Sequence, residues 1–351
     1  MSTRAPALPV ISVSNLHKRF NLEAGFFATL GRYVNAVNGV SLVIGKNEAY
    51  GLVGESGCGK TTTARLLVRM YEADEGEIFF HDVKATGSAG DDAAQDVRKL
   101  KGRDFKRYRE KVKYIFQDPA RSLNPRMTVY EVLTSGAKWS TERHSPETLR
   151  KEAAAILEEV GLSATDLERR PAEFSGGQRQ RISIARGLIM KPNILICDEV
   201  VSALDVSIQG QILNLLLDLR NSRKSSGEEI SFLFIAHDLK VASYFCDRIG
   251  VMYRGEIMEE ASAQSLWKDH RHPYTELLFS SMNRGEAVQE PQVALTVPIE
   301  SAASGNAGST QKTAESCAFM HRCPYAQNEC LEKPPLRATG EGHMVRCWKN
   351  A

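Results

Sequence analysis

Long apolar runs are missing from this sequence. No stretch reaches the roughly 18 consecutive apolar residues that a membrane-spanning helix requires, and the start, MSTRAPALPVISVSN, lacks the features of a secretory signal. A strong excess of one charge is also missing, since the net charge is +2. The most charged stretch, residues 87–111, interleaves acids with its bases, so it predicts a solvated surface rather than a nucleic-acid patch. We therefore expect a cytoplasmic protein that reaches a membrane only through partners.

Cysteine is sparse through most of the chain. Cys58, Cys197 and Cys246 are scattered, whereas the other cysteines crowd into the last 35 residues. Those four are Cys317, Cys323, Cys330 and Cys347. The odd total of seven, in a chain expected to be cytosolic, argues against a disulfide framework.

The pattern of apolar residues divides the chain into three parts. Short apolar runs alternate with longer helical patterns over residues 1–265, which predicts an α/β core. Residues 118–175 turn mainly helical, which indicates a helical subdomain inserted into that core. Residues 266–316 are interpreted as a helical extension and a linker, and residues 317–351 as a small C-terminal extension that contains the four cysteines.

GESGCGKT, at residues 54–61, fits the phosphate-loop pattern G-x-x-x-x-G-K-[ST] in full. It lies between a predicted strand, AYGLV, and a predicted helix that begins at Lys60. This position between a strand and a helix argues against a chance glycine-rich turn. Lys60 is expected to reach the β- and γ-phosphates of a nucleotide, and the Thr61 hydroxyl to bind Mg²⁺. The residues predicted to hold the nucleotide are Gly54, Glu55, Ser56, Gly57, Cys58, Gly59, Lys60, Thr61 and Thr62.

Acidic residues and a histidine follow two further apolar runs. ILICDE is typical of a buried parallel strand, so Asp198 at its end is a candidate Mg²⁺ ligand and Glu199 a candidate to polarise an attacking water. SFLFIAHD repeats this layout and places His237 at the edge of the sheet where ligands bind. We interpret His237 as a contact to the γ-phosphate.

A second glycine-rich motif, SGGQ, occupies residues 175–178. Ser175 and Gln178 have the spacing of a capping box, which predicts a helix start here. The box does not explain Gly176 and Gly177, which weaken a helix. Exposed amides at a helix start bind anions, so the motif predicts a second phosphate contact without indicating whose phosphate it is.

Together the motifs GESGCGKT, FQDP, SGGQ, CDE, SALD and IAHD, in this order over residues 10–265, resemble the ATP-binding subunit of an ABC transporter. The resemblance implies two ATPase domains that meet head to tail, each ATP being held between the phosphate loop of one chain and the SGGQ motif of the other. Ser175, Gly176 and Gly177 would then contact the partner's γ-phosphate, with Gln178 beside them.

The same resemblance implies further roles. Gln117, in FQDP, would join Mg²⁺ and the attacking water, and residues 202–205 would line the dimer contact. Phe20 is the best candidate to stack on adenine, with Tyr33 as the alternative because residues 21–34 look inserted. Val200 and Val201 stand where Pro-Thr is usual in the family, which suggests slower hydrolysis.

FQDPARSLNPRM, HPYTELL and CAFMHRCPYAQNEC resemble the ATPases of oligopeptide and dipeptide importers. This implies a second, non-identical ATPase subunit, two membrane-spanning permease subunits, an extracytoplasmic solute-binding protein and a position on the cytoplasmic face of the membrane. One alternative is a soluble ABC ATPase acting on nucleic acid or ribosomes, but the chain lacks the second ATPase domain or coiled coil usual there. Another is a subunit that binds ATP without hydrolysing it, against which Glu199 and His237 argue.

The spacing of the final cysteines, C-x5-C-x6-C-x16-C, is not the paired knuckle of structural zinc. A 4Fe-4S cluster, a zinc site and free thiols all stay open, and the family resemblance supports the cluster. Cys58 is a separate case, because a helix N-terminus favours the thiolate. We expect oxidants to block ATP binding through Cys58 unless nucleotide is already bound.

Overall fold

The computed structural model describes residues 8–21, 33–81, 94–141, 145–284, 316–340 and 342–350. Its strands are β1 (Pro9–Asn21), β2 (Tyr33–Gly45), β3 (Ala49–Val53), β4 (Glu75–Phe80), β5 (Gln95–Asp96), β6 (Val112–Ile115), β7 (Ile194–Asp198), β8 (Ser231–Ala236), β9 (Arg248–Tyr253), β10 (Glu256–Ser262), β11 (Arg337–Gly340) and β12 (His343–Val345). Its α-helices are α1 (Lys60–Leu67), α2 (Gly102–Lys111), α3 (Pro119–Ser122), α4 (Val129–Thr134), α5 (Pro146–Glu159), α6 (Gly176–Leu188), α7 (Val206–Ser225), α8 (Leu239–Phe245), α9 (Ala263–Lys268) and α10 (Pro273–Arg284).

An eight-stranded sheet forms the centre, in the order β11-β12-β10-β9-β3-β8-β7-β6. Five neighbouring strands of this sheet, β9, β3, β8, β7 and β6, pair in parallel. Strands β7 and β8 are buried along their whole length. This confirms the prediction of central strands covered on both faces. Because parallel strands end at the same edge, the segments that follow β3, β7 and β8 lie together there.

A smaller antiparallel sheet, β2-β1-β4-β5, packs against one face of the centre. Alternation along β3 shows the division: Tyr50 and Leu52 belong to the core shared with the small sheet, whereas Ala49 and Val53 belong to the core shared with the helical region. Side chains of a strand alternate between its two faces, so β3 carries both cores. The α/β prediction is confirmed.

Helices α3 to α5 lie within residues 118–175, where a helical insertion was predicted, and α6 continues the helical region to Leu188 before β7 begins. Local residues explain the helix starts: Ser145 caps α5, with proline at the first position, and Thr128 forms a capping box with Glu131 on α4. Ala153 and Leu157 bury one face of α5. The stretch predicted as solvated surface is described only from residue 94, and there α2 packs on the core through the buried Tyr108.

The C-terminal segment, residues 316–350, joins the central sheet. Strand β12 pairs antiparallel with β10, and the Arg346 amide donates a 2.8 Å hydrogen bond to the carbonyl of Met258. Below this contact His343 Nε2 lies 2.7 Å from the fully buried carboxylate of Glu259. The predicted linker lies largely in residues 285–315, outside the described residues. Among the residues with described structure, no helix combines the length and apolar character needed to cross a bilayer.

Candidate active site

The predicted phosphate loop connects β3 to α1. Its outer residues, Ser56 and Gly57, are exposed, whereas Gly54 and Gly59 are buried. Gly59 has a φ of 112°, and a Cβ there would collide with the carbonyl of Ala36. A Cβ at Gly54 would collide with the carbonyl of Met252. Both positions therefore require glycine, and the loop that results presents its amides ahead of the helix start.

Lys60 lies inside the loop and is 3% exposed. Its Nζ donates to the carbonyls of Gly54 at 2.7 Å and Glu55 at 2.9 Å. An ammonium group held at the centre of a ring of amides is a strong point charge for a polyphosphate.

The second predicted motif meets the loop at Asp198. The Thr61 hydroxyl donates to Asp198 Oδ1 at 2.9 Å, and Asp198, at the end of β7, is 3% exposed. Tyr114 donates its hydroxyl to the other carboxylate oxygen, and burial together with the charge of Asp198 raises the pKa of Tyr114. Sequence reasoning missed Tyr114; its position near the end of a strand next to β7 is the only signal that pointed to it.

Glu199 and Gln117 also come together. Gln117 Nε2 donates to Glu199 Oε2 at 2.8 Å, and the Ser202 hydroxyl donates to the Glu199 carbonyl at 2.9 Å. Glu199 has a φ of 49°, a left-handed conformation that non-glycine residues rarely adopt and that clusters at functional sites. His237 follows β8 directly, is exposed, and lies at the same sheet edge.

The SGGQ motif begins α6 in the helical subdomain. The capping box is present: Ser175 Oγ accepts from the Gln178 amide at 3.4 Å, and Gln178 Oε1 accepts from the Ser175 amide at 2.9 Å. Gly176 has open space on its Cβ side, where the nearest side chain, that of Leu204, is 3.9 Å away. A Cβ at Gly177 would lie 2.8 Å from the Ile208 side chain. Packing thus explains Gly177 but not Gly176.

The two aromatic candidates lie at paired strand ends. Phe20 is half-buried, with its ring edge-on to Tyr71 at 5.2 Å and Lys18 Nζ 5.6 Å from its centroid. Tyr33 begins β2 opposite Asn21 and is 52% exposed. The adenine contact stays a prediction for Phe20, with Tyr33 as the alternative.

Two expectations for cysteine change. Cys58 is 6% exposed, and burial raises the pKa of its thiol despite the nearby Lys60. The expectation of a readily formed thiolate was therefore wrong, because desolvation outweighs the helix N-terminus.

The four C-terminal thiols lie close enough to affect one another: burial, with a smaller contribution from the other three thiols, raises the pKa of Cys317 to about 11. In residues 316–340 and 342–350, as in the rest of the described chain, no three or more His, Cys, Asp or Glu side chains are placed to hold a metal ion together. The arrangement gives no support to the iron–sulfur expectation.

Glu55 makes contacts that the sequence did not indicate. Its carboxylate pairs with both terminal nitrogens of Arg322, at 2.9 and 3.0 Å, and its amide donates to the Tyr274 hydroxyl at 3.0 Å. Arg322 comes from the C-terminal segment, residues 316–350, which contains the four cysteines and is called the cysteine segment below. Tyr274 comes from α10.

A phosphate loop joined through Thr61 to a strand-end aspartate, with Glu199 and His237 at the same sheet edge, is the arrangement of a P-loop ATPase. The family described as ABC transporter matches residues 37–202, and the one described as oligopeptide/dipeptide transporter, C-terminal region, matches residues 258–330. The chain belongs to the ATP-binding proteins of the oligopeptide and dipeptide ABC transporters.

Relatives and solved structures agree with this assignment. The oligopeptide transport ATP-binding protein OppF of Haemophilus influenzae is 37% identical over 97% of this chain and 97% of its own. The oligopeptide transport ATP-binding protein AppF of Bacillus subtilis is 36% identical over 98% of each chain. A dimeric, post-hydrolysis ATP-binding cassette bound to ADP and phosphate matches with a TM-score of 0.58 and 25% identity, over 72% of this chain and 98% of that one. These relatives give no support to action on nucleic acid or ribosomes.

Proposed function

We propose that this ABC ATPase powers the import of peptides or related small solutes by closing on ATP with a second ATPase subunit and reopening after hydrolysis. The observation that carries the proposal is the meeting of three motifs, GESGCGKT, FQDP and CDE, at one sheet edge, where Thr61 bonds Asp198 and Gln117 bonds Glu199. These groups are 137 and 82 residues apart in the chain. This supports the proposal that the groups that bind the nucleotide and the group that activates water act side by side.

Within one chain the phosphate loop holds the nucleotide. The amides of residues 57–61 face the phosphates, and Lys60 exchanges its bonds to the loop carbonyls for phosphate oxygens. The hydroxyl of Thr61 and the carboxylate of Asp198, which bond each other at 2.9 Å, would hold Mg²⁺ together with the amide oxygen of Gln117, since Mg²⁺ prefers oxygen ligands. Mg²⁺ held there would neutralise charge on the phosphate oxygens.

Glu199 orients the attacking water and accepts its proton. Gln117 holds the carboxylate of Glu199 through the 2.8 Å bond, directly after the end of β7. His237, exposed directly after β8, would donate to the γ-phosphate. Val200 and Val201 are buried behind Glu199, so their effect on the rate would come through packing rather than through contact with water.

The SGGQ motif completes the site of the facing subunit. Ser175 is exposed at the start of α6, and Gly176 has free space on its Cβ side, so the first amides of the helix are open to a phosphate from outside the chain. The dimeric form of the 25% identical cassette supports this arrangement. Residues 202–205 would lie at the contact. A single chain then has half of each active site.

A groove between the core and the helical subdomain suits the membrane partner. It has a volume of about 780 Å³, and apolar and basic side chains line it, among them Arg69, Phe116, Leu133, Trp139 and Met190. Trp139 is 74% exposed, which is unusual for so large an apolar side chain unless a partner covers it. We infer that a permease subunit docks here, which places the chain at the cytoplasmic face of the membrane and links it to a solute-binding protein outside.

The test compares the purified chain with the assembled transporter. The chain alone should bind Mg-ATP and hydrolyse it slowly, and addition of its second ATPase subunit and both permease subunits in proteoliposomes should raise turnover. Full turnover by a proven monomer would contradict the shared site. Stimulation by RNA or ribosomes, with none by the permease subunits, would favour the soluble alternative.

The C-terminal cysteines have a separate test. A 4Fe-4S cluster would give brown absorbance and iron after anaerobic purification. Zinc without colour would indicate the zinc site instead, and metal-free protein with four titratable thiols in residues 317–347 would indicate free cysteines.

A further inference from the structure

Every polar main-chain and side-chain group of Glu55 is held by a different part of the protein. Its carbonyl accepts from Lys60 Nζ at 2.9 Å and from the Cys58 amide at 3.3 Å, and both of these contacts lie within the phosphate loop. Its amide donates to the Tyr274 hydroxyl at 3.0 Å, and its carboxylate accepts both Arg322 bonds, at 2.9 and 3.0 Å. These last two partners come from segments 219 and 267 residues further along the chain.

Arg322 is itself firmly placed. It ends the short 3-10 turn Met320–Arg322, and its amide donates to the Phe319 carbonyl at 3.0 Å. Phe319 is 1% exposed and packs edge-on against Tyr253 at 5.3 Å. The guanidinium lies 5.7 Å from the Tyr253 ring centroid, within the range of a cation–π contact. An arginine side chain that is already packed against aromatic rings loses little conformational freedom when it binds a carboxylate through two hydrogen bonds.

Tyr274 makes the second bond from a buried position. The residue is fully buried, with its ring 4.6 Å from Tyr253 and 5.4 Å from Phe319. Tyr253, Tyr274 and Phe319 therefore form one aromatic cluster that carries both contacts to Glu55. Because the cysteine segment supplies Phe319 and Arg322, the cluster exists only when that segment is docked.

Nucleotide binding changes the contact between Glu55 and Lys60. Lys60 must leave the Glu55 carbonyl to reach a phosphate, and the loop then depends on its remaining bonds to keep its shape. The Arg322 and Tyr274 bonds do not involve groups that face the phosphates, so they persist. The affinity of an anion site made of backbone amides depends on how firmly the amides are held in position before the anion binds.

We propose that Arg322 and Tyr274 are positioning residues for nucleotide binding, through which the docked cysteine segment holds the phosphate loop ready for ATP. The inference rests on nucleotide binding at residues 54–61, and it adds a dependence of that binding on residues 316–350. The cysteine segment is then part of the ATP site, although none of its residues touches the nucleotide.

The test measures Mg-ADP affinity by calorimetry on the full chain and its Arg322→Gln variant. We expect the dissociation constant to rise by about five- to tenfold, since a partly exposed, two-bond ion pair is lost. In the assembled transporter the KM for ATP should rise with little change in kcat. Arg322→Lys, which keeps the charge but not the paired geometry, should fall between the two proteins. Tyr274→Phe should weaken binding in the same direction.

Arg337→Gln is the matched control. Arg337 belongs to the same segment, and its guanidinium lies 5.3 Å from the Trp348 ring, away from Glu55. The affinity of the Arg337→Gln variant for Mg-ADP should equal that of the unaltered protein. The double variant Glu55→Gln with Arg322→Gln should bind no worse than Arg322→Gln alone, because the two changes remove one contact.

The outcomes separate the two proposals. If the unaltered chain fails to bind Mg-ADP, the proposed function is wrong. If the unaltered chain binds and Arg322→Gln binds equally well, the positioning role is wrong. A loss of affinity matched by Arg337→Gln, or a fall in kcat without a change in KM, would also overturn it in favour of general stabilisation by the segment.

Discussion

The hydroxyl of Thr61 donates a 2.9 Å hydrogen bond to the carboxylate of Asp198, which joins the phosphate loop to the end of β7. Thr61→Val removes this hydroxyl and keeps the side-chain shape. We expect a rise of about tenfold or more in the Mg²⁺ concentration needed for half-maximal hydrolysis, because a charge-assisted bond and a metal ligand are both lost. Titration of Mg²⁺ at fixed ATP measures it. Thr165→Val, on the exposed surface, is the control, and an equal shift there would contradict the role of Thr61.

Glu199→Gln should stop turnover while leaving ATP bound. The amide of glutamine cannot accept a proton from water, so kcat in the assembled transporter should fall by roughly 100- to 10,000-fold. ATP-bound dimer should accumulate, as size-exclusion chromatography would show. Glu228→Gln, which alters an exposed ion pair with Lys191, should leave both quantities unchanged. Steady-state hydrolysis at the normal rate in Glu199→Gln would remove Glu199 from its role.

Gly176→Ala should separate activity from stability. The added methyl group meets only Leu204, at 3.9 Å, so the melting temperature should not fall. The methyl group would stand among the amides offered to the facing nucleotide, so hydrolysis by the dimer should fall strongly. Gly210→Ala, in the second turn of α7 with open space around it, is the reference for stability and should gain about 0.5–1 kcal/mol. Normal ATPase activity in Gly176→Ala would contradict the contact across the dimer.

Cys58 should react slowly with thiol reagents in the folded protein. Its raised pKa keeps the thiol protonated at pH 8, and its 6% exposure limits access. Peptide mass spectrometry after iodoacetamide treatment should show faster labelling of the half-buried Cys347, and rapid labelling of Cys58 only in urea. Equal labelling rates for Cys58 in the folded and the unfolded chain would support the reactive thiolate that the sequence suggested.

His272 should make the protein less stable in mild acid. Burial lowers the pKa of His272 to about 3, whereas the unfolded chain takes up the proton near pH 6.5. Between these values the unfolded state binds more protons, so the free energy of unfolding falls as pH falls, by up to about 1.4 kcal/mol per pH unit. Urea unfolding from pH 7.5 to 4 measures the slope.

In the unaltered protein the Tyr274 amide donates to His272 Nδ1 at 3.0 Å, and His272→Asn keeps an acceptor for that amide. This variant should reduce the dependence of the unfolding free energy on pH by the contribution of one proton. His321→Asn changes an exposed histidine and should not. An unchanged slope in His272→Asn would assign the acid sensitivity to other groups.

Much of the central fold was predictable because its signals are local. The apolar runs before Asp198 and His237 have the length and composition of buried strands, and Ser175 with Gln178 marks the start of α6. GESGCGKT is likewise recognisable from its own residues, although the backbone that excludes a Cβ at Gly54 and Gly59 belongs to the distant residues Met252 and Ala36. The roles assigned to Phe20 and to the partner-facing residues rest on the family resemblance and stay predictions.

The sequence by itself therefore determined the chemistry of the loop, the strand ends and the helix caps, because each depends on neighbours within a few residues. Only the tertiary structure decided which distant groups meet them. Tyr114 reaches Asp198 because β6 pairs with β7, and Arg322 reaches Glu55 because β12 adds to β10 and docks the cysteine segment. Such contacts depend on strand pairing across long stretches of chain, and no local spacing encodes them. Burial, too, is a tertiary property, which is why the pKa of Cys58 rises where the helix start alone suggested a fall.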